Sequence, residues 1–435
     1  MKRPSAPQSA TISPKHADVV VVGAGVIGLS IAWAVALSGR TVTVVDRSPG
    51  SGATRAAAGM LAPVSELQYG EEHLLELLLA SAALYPAFID SLGVHTDAVD
   101  YRATRTLVVG ADAADRHTLS DLRTAQLAAG LSVDAITVKQ ARTLEAALSP
   151  QLSCAFSIER DHQLDPRQLV EALCAALSAR AAHAEWARPW AVHQNALALV
   201  RGNGSAGEHG RTDATTTVTG VLLEDGSTLR ASTVIVANGL AAAQLGGMPL
   251  DLGATLRAVH GDIVRLRVPQ QLRPLFSHTI RGLVRGAPVY LVPRGDGTVV
   301  VGATQREDEL AGASAGGVHQ LLRDAQVLVP AVAELELIEV MARARPGTPD
   351  NAPLLGRVAD EFGDVGGLII ATGFFRHGVL LAPFAARLCV ALLEGDHRSE
   401  KRWRHFRPDR FARARSQPGS QPGSHSSSTV KEPQQ

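Results

Sequence analysis

The run from Asp18 to Asp46 constrains the fold of this chain more than any other stretch. It reads D-V-V-V-V-G-A-G-V-I-G-L-S and continues into T-V-T-V-V-D. Val19 to Val22 is a β-branched run suited to a strand buried on both faces. Gly23, Gly25 and Gly28 then supply a tight turn, close approach of backbone to a pyrophosphate, and close packing of the following helix on the sheet. The helix is expected from Gly25 to Leu37, ending at Ser38-Gly39. A second strand, Thr41 to Val45, delivers Asp46 at its carboxyl end. A carboxylate about 20 residues past such glycines is where a ribose diol binds. Its charge disfavours a 2′-phosphate there, with Arg47 as a neighbour of opposite sign. The unit therefore predicts a dinucleotide site.

A membrane reading competes for the same residues. Val19 to Leu37 carries no charge and is about as long as a membrane helix. Lys2, Arg3, Lys15 and His16 could head a signal peptide. Gly23 and Gly25, however, divide the run into a β-branched half and a helical half, so a strand-turn-helix is expected and no membrane span. Formal net charge is +0 over 435 residues, and no basic stripe with interleaved aromatics is present, which argues against nucleic acid. Cys154, Cys174 and Cys389 are odd in number and form no C-x-x-C, so neither a disulfide framework nor a metal site is expected. A reducing cytoplasm is the expected compartment. Residues 1–16 and 416–435 are poor in apolar side chains and are expected to be disordered tails. Asn203 is expected in a polar loop.

Between these ends helices and strands alternate. Glu71 to Leu92 and Asp112 to Ala129 have helical spacing, Arg105 to Gly110 reads as a strand, and Asp165-Pro166 caps a helix running to Ala182. Turns are expected at Asp225-Gly226, after S-T-V-I-V-A-N-G, and at Asp296-Gly297. The fold class this predicts is α/β. A Rossmann-like nucleotide-binding domain is made of non-contiguous pieces, residues 17–66, 155–250 and 341–410. An interleaved α+β substrate domain, residues 67–154 and 251–340, is built on a large, mostly antiparallel sheet.

Two further glycine-marked stretches carry the chemistry. In Gly52 to Pro63 nearly every side chain is short, including Ala53, Thr54, Ala58, Gly59 and the bulkier Met60. Backbone N–H groups there can approach a large planar ligand, and Thr54 can add a hydroxyl to a phosphate. An ordinary Ala-rich helix is the alternative. In the third stretch, Leu368 to Ala371 reads as a strand turned by Gly373, and Gly378 to Leu393 as a helix with Pro383 in its first turns. A helix N-terminus aimed at a flavin's pyrimidine edge would stabilise the negative charge that develops there on reduction. Arg345 and Arg376 stand beside this architecture. Guanidinium forks bind carboxylates bidentately, the grip that an α-amino acid needs.

Taken together, G-A-G-V-I-G-L-S, G-A-T-R-A-A-A-G-M-L-A-P, D-P-R at Asp165, Y-L-V-P-R at Tyr290, V-G-A-T at Val301, R-P-G-T at Arg345 and F-R-H-G-V-L-L-A-P at Phe375 carry a resemblance. From about Ala17 to Pro408 the chain resembles the glycine oxidases of the thiamine-biosynthesis type, within the D-amino-acid oxidase and sarcosine oxidase superfamily. The resemblance implies non-covalent FAD near Gly23, Gly25, Val26, Ile27, Gly28, Asp46, Arg47, Ala53, Thr54, Ala58, Gly59 and Met60. It implies that Gly373, Phe374, Phe375, Arg376, His377, Gly378, Val379 and Leu380 lie along the isoalloxazine. Backbone between Pro189 and Val192 should touch the adenine, with Trp190 as the chosen residue. Arg345 and Arg376 match the family's carboxylate-binding arginines, and Tyr290 a pocket tyrosine whose hydroxyl orients the substrate.

The implied reaction is oxidation of glycine or another small amine or D-amino acid by hydride transfer to flavin, with dioxygen as acceptor and hydrogen peroxide as product. The imine hydrolyses to glyoxylate or another 2-oxo acid and ammonia, or feeds thiazole assembly. Small amino-acid substrate and dioxygen are thus the expected partners, and relatives of this kind are often homo-oligomers. Two alternatives stay open: a D-amino-acid or sarcosine dehydrogenase passing electrons to a quinone, and a flavin-binding protein without turnover. Pro288 and Gln305 depart from the His and Met of some relatives. M-A-R-A-R-P stands where G-L-R-P is common, which leaves Arg343 as a second candidate beside Arg345.

Overall fold

The computed structural model describes residues 16–202, 217–360 and 363–411. The expectations for the two tails and for Asn203 lie outside these residues, except that His16 is the first residue of a strand rather than the end of a tail.

Two eight-stranded sheets dominate. In the first, strand His16–Val22 lies between Val42–Val45 and Thr228–Val236, parallel to both, and Gly363–Thr372 extends the parallel set. The β-branched run is explained by its two faces. Val19 and Val21 enter one hydrophobic core, which contains the helices Val26–Leu37 and Gly378–Leu393, while Val20 and Val22 enter another. Gly23 has φ +107° and a Cβ there would stand 2.6 Å from the Ala237 carbonyl oxygen, while one at Gly28 would collide with the carbonyl oxygen of Gly23. These two glycines are therefore needed by packing. The span Val19 to Leu37 is thus a strand, a turn and a helix. Ten of the twelve residues of Val26–Leu37 are buried, as expected of a helix apolar all round.

By length and composition alone, Phe375–Leu393 is long and apolar enough to cross a membrane, yet 67% of its most apolar stretch is buried in the protein. Its interior Pro383 lacks the N–H that would bond the carbonyl of Val379, one turn back. The buried hydroxyl of Tyr85 donates to that carbonyl instead. Ser81 Oγ donates to the next carbonyl, Leu380, at 2.6 Å and accepts from Phe384 N at 3.3 Å. Two side chains from a neighbouring segment thus repair the break. Tyr85→Phe leaves the Val379 carbonyl buried and unpaired, and is expected to cost about 1–3 kcal/mol in chemical denaturation. A loss below a few tenths of a kcal/mol would show that another donor replaces it.

The second sheet runs in the order Glu336–Gly347, Arg257–Arg267, Thr298–Gly302, Ala287–Pro293, Thr279–Val284, Thr106–Gly110, Cys154–Ile158, Asp134–Ile136. It is antiparallel except where Thr279–Val284 meets Thr106–Gly110. Strand pairing and packing cut across the boundaries expected from sequence. Cys154–Ile158 pairs wholly in this second sheet, and Glu336–Gly347 continues in it past residue 341. Leu77, Leu78, Tyr85 and Ile89 pack in the core of the first unit, against the helices of the nucleotide half. The single helix expected from Glu71 to Leu92 is interrupted between Leu75–Ala82 and Tyr85–Asp90. Pro86 lies at the start of the second piece, where its missing N–H is harmless. The cap at Asp165 and the turns at Gly226 and Gly297 form as expected.

Candidate active site

A cavity of about 460 Å³ opens where the parallel strands of the first sheet end and one face of the second sheet begins. Ligands bind outside the carboxyl ends of strands in such sheets because the turns there leave backbone groups free. Gly23, Gly25, Val26, Ile27, Asp46, Ala53, Thr54, Ala58, Gly59 and Met60 all line it. From the third stretch, Phe374, Phe375, Arg376, Gly378 and Val379 line it as well.

Local bonds fix this half of the cavity. Asp46 Oδ2 accepts from Ala24 N at 2.7 Å and Oδ1 from Ser48 N at 2.8 Å, which holds the carboxylate against the glycine turn. Thr54 Oγ1 accepts from Val26 N at 3.1 Å, joining the short-side-chain segment to the start of the first helix. Gly59, at φ +70°, passes so close to the Leu164 carbonyl that a Cβ would collide with it. Buried Arg294, from the Y-L-V-P-R motif, donates to the carbonyls of Ala58 and Leu164, the latter at 2.8 Å. Burial pushes that guanidinium down to about 10, and Asp165 at 3.6 Å opposes the shift. The buried Asn238 Oδ1 atom has no hydrogen-bond partner among the described residues and belongs to a cavity-lining residue. The turn after S-T-V-I-V-A-N-G was visible in the sequence, but its side of the cavity was not.

Six expected cofactor residues stand back from the wall. Gly28 lies beneath it, under the turn. Arg47 points outward, with its side chain 68% exposed and 3.7 Å from Glu224. The Trp190 ring turns away to donate to Ser178 Oγ, and its carbonyl pairs with Val44 N in the first sheet. Gly373, at φ +72°, makes the turn against Thr348. His377 is buried behind the wall, and Leu380 belongs to the helix core. Burial pushes His377 down to about 4, so the ring is neutral near pH 7.

The second sheet furnishes the other end. Tyr290 and Arg345 both line the cavity, each in space released by a glycine. A Cβ at Gly302, the strand partner of Tyr290, would collide with the Tyr290 ring and hydroxyl. A Cβ at Gly261 would collide with the Arg345 guanidinium. Burial raises the Tyr290 pKa, so the phenol stays protonated. Arg345 Nη1 lies 3.4 Å from the Thr304 carbonyl oxygen, and among the described residues no carboxylate comes within ion-pair distance of it. Pro288 and Gln305 line the cavity nearby.

Arg376 differs from Arg345 in having its carboxylate already. Glu71 receives both terminal nitrogens, Nη1 at 3.1 Å, and Asn351 Nδ2 donates to the same carboxylate at 2.7 Å. The Arg376 guanidinium also lies 5.4 Å from the Phe375 ring centre, and Phe375 is held at φ +47°. A second pair escaped the sequence reading: Arg281 Nη1 donates to Glu66 Oε1 at 2.6 Å, and both residues line the cavity. Burial pushes Glu66 up, but the charges of Arg281 and Arg376 and the hydrogen bond from Arg281 outweigh it and hold the group below the usual carboxylate range. Arg281 is directly opposite Tyr290 in the Thr279–Val284/Ala287–Pro293 hairpin, a placement that period-2 alternation could have suggested. Glu71→Gln should leave the largely buried Arg376 with the more distant Glu66 carboxylate, 3.9 Å from Nε, and cost up to about 3 kcal/mol in denaturant unfolding. An unchanged midpoint would mean that the pair contributes nothing.

One end of the cavity thus has the glycine turn, strand-end carboxylate and short side chains expected of a dinucleotide site, and at the other stand the Tyr290 phenol and a guanidinium that has no carboxylate partner among the described residues. A family model described as FAD dependent oxidoreductase matches residues 18–392. The glycine oxidase of Geobacillus kaustophilus is 31% identical over 387 residues, covering 87% of this chain and 93% of that protein. A putative thiamine biosynthesis oxidoreductase, ThiO, of Rhizobium etli is 30% identical over 389 residues, covering 88% and 99%. The crystal structure of the Geobacillus kaustophilus glycine oxidase superposes with a TM-score of 0.72 at 29% identity, over 87% of this chain and 95% of that one.

Proposed function

The chain belongs to the family of FAD-dependent oxidoreductases, and we propose that within it this protein oxidises glycine and comparably small amines. The cavity fits FAD: Asp46 stands ready for a ribose diol, the turn from Gly23 to Gly25 for a pyrophosphate, and the orphaned Asn238 oxygen for a donor from the ligand. The observation that carries the substrate reading is Arg345 over Gly261, beside Tyr290, with no carboxylate partner among the described residues.

Bound FAD would supply the redox chemistry, as a hydride acceptor for the substrate's α-carbon that dioxygen would reoxidise. The protein supplies position and charge. Arg345 binds the carboxylate, and the protonated Tyr290 hydroxyl donates to it. Arg376, held by Glu71, positions Phe375 and the start of the last core helix. His377 is neutral near pH 7 and is assigned no proton transfer. Loss of hydride from glycine gives the imine, which takes up water to yield glyoxylate and ammonia. Across the cycle one glycine, one dioxygen and one water become one glyoxylate, one ammonia and one hydrogen peroxide. The ThiO relative supports a place in thiamine biosynthesis. The three free cysteines are compatible with the cytoplasm.

Peroxide and ammonia, measured together after mixing the purified protein with glycine in air, test this reading. Equal amounts of both are expected. Ammonia without peroxide, with a quinone reduced instead, would make the protein a dehydrogenase. Bound flavin with no turnover of any amine would leave a binding protein.

A further inference from the structure

Among the described residues four cations line the cavity: Arg281, Arg343, Arg345 and Arg376. Three are accounted for. Arg281 is paired with Glu66 and Arg376 with Glu71, while Arg345 lies over Gly261 at the substrate end. We infer that the fourth, Arg343, is a phosphate ligand of the dinucleotide, reaching from the substrate-side sheet to the pyrophosphate of FAD.

Arg343 and Arg345 are two residues apart on the strand Glu336–Gly347, so both side chains leave the same face. Their surroundings differ. Arg343 Nε donates to the Ser51 carbonyl at 3.1 Å, and Nη1 to the Ala342 carbonyl at 2.9 Å. Among the described residues no carboxylate lies within ion-pair distance of it. Ser51 lies between Gly50 and Gly52, which both line the cavity, and a Cβ added at Gly52 would meet nothing within 4 Å. Three residues further on is Thr54, whose hydroxyl meets Val26 N at the head of the first helix. In a Gly-x-Gly turn this is where the pyrophosphate lies, against backbone N–H groups.

Around the Gly23–Gly25 turn the first sheet offers backbone N–H dipoles and the Thr54 hydroxyl. Arg47 and Arg55, the cations nearest in sequence, lie beside Glu224 and Glu339 and do not line the cavity. Two phosphate charges taken into a partly enclosed cavity favour a guanidinium, which donates to phosphate oxygens with several N–H groups at once. Arg343 is placed to be that group, held in position by its bond to Ser51. It thereby ties the substrate-side strand to the cofactor and is separate from the carboxylate site at Arg345.

The test compares cofactor retention, with no turnover involved. Holoenzyme of the wild type, Arg343→Gln and Arg343→Lys is diluted, and released FAD is followed by its fluorescence. Stripped full-length protein is then titrated with FAD and with riboflavin, which lacks both phosphates. Arg343→Gln should weaken FAD about 10- to 100-fold, the effect of one charged hydrogen bond. Riboflavin affinity should not change, and Arg343→Lys should recover part of the loss. The inference is overturned if FAD affinity is unchanged, or if FAD and riboflavin weaken equally, the mark of a structural role. Should the Gln variant fail to fold, the FAD-to-riboflavin ratio of the Lys variant decides the matter. None of these outcomes depends on which amine the enzyme oxidises.

Discussion

Arg345→Gln should retain yellow, FAD-loaded protein and lose about 10²- to 10³-fold in kcat/KM for glycine. The substitution removes a charge-assisted, bidentate grip on the carboxylate, and each 1.4 kcal/mol of lost stabilisation is about tenfold in rate. The cost should fall on both KM and kcat, because the arginine both binds the carboxylate and aims the α-carbon. Folding should be little affected, since among the described residues no carboxylate pairs with Arg345. Arg376→Gln makes the contrast. It strands buried Glu71, so it should lower thermal stability and disturb the flavin spectrum along with turnover. Activity within threefold of wild type for Arg345→Gln, measured at saturating and sub-saturating glycine, would remove Arg345 from the site.

Gly261→Ala should act on the same arginine without touching it. A single methyl at position 261 would occupy the space where the Arg345 guanidinium lies. What it displaces is the end of a flexible side chain, so the strand should survive and the arginine should swing away. The expected result is a fall of about 10²-fold in kcat/KM for glycine with FAD retained, approaching the loss for Arg345→Gln. The double variant Gly261→Ala/Arg345→Gln should then be little worse than Arg345→Gln alone, because the two changes remove one interaction. Additive losses would mean that Gly261 contributes something other than space.

The nucleotide half was legible in the sequence because its signals are local. A β-branched run, glycines at fixed offsets and an acidic strand end leave few ways to fold, and Val19 to Asp46 adopts the expected strand, turn, helix and strand. Asp165 likewise announces its helix through one bond of its own side chain. The parts that were not legible depend on partners far along the chain. Glu71 and Arg376 are 305 positions apart, and nothing in either neighbourhood announces the pair. Gly261 and Gly302 read as strand glycines, and only the fold shows which side chain fills the space each leaves. Pro383 appeared as a helix residue, while the hydroxyl that repairs the break comes from Tyr85, 294 positions away from Val379. Trp190, expected at the adenine, does not line the cavity: its backbone joins the first sheet, and its ring is turned to Ser178.

The most direct measurement is an anaerobic absorbance titration of the purified holoenzyme with glycine, followed by air, with Arg345→Gln carried through in parallel. Wild type should lose its flavin band as glycine is added and regain it with release of peroxide on exposure to air, while the variant stays yellow at the same concentrations. A wild-type band that glycine leaves unchanged, or a variant that bleaches as readily as wild type, would contradict the assignment of Arg345 as the residue that holds the substrate.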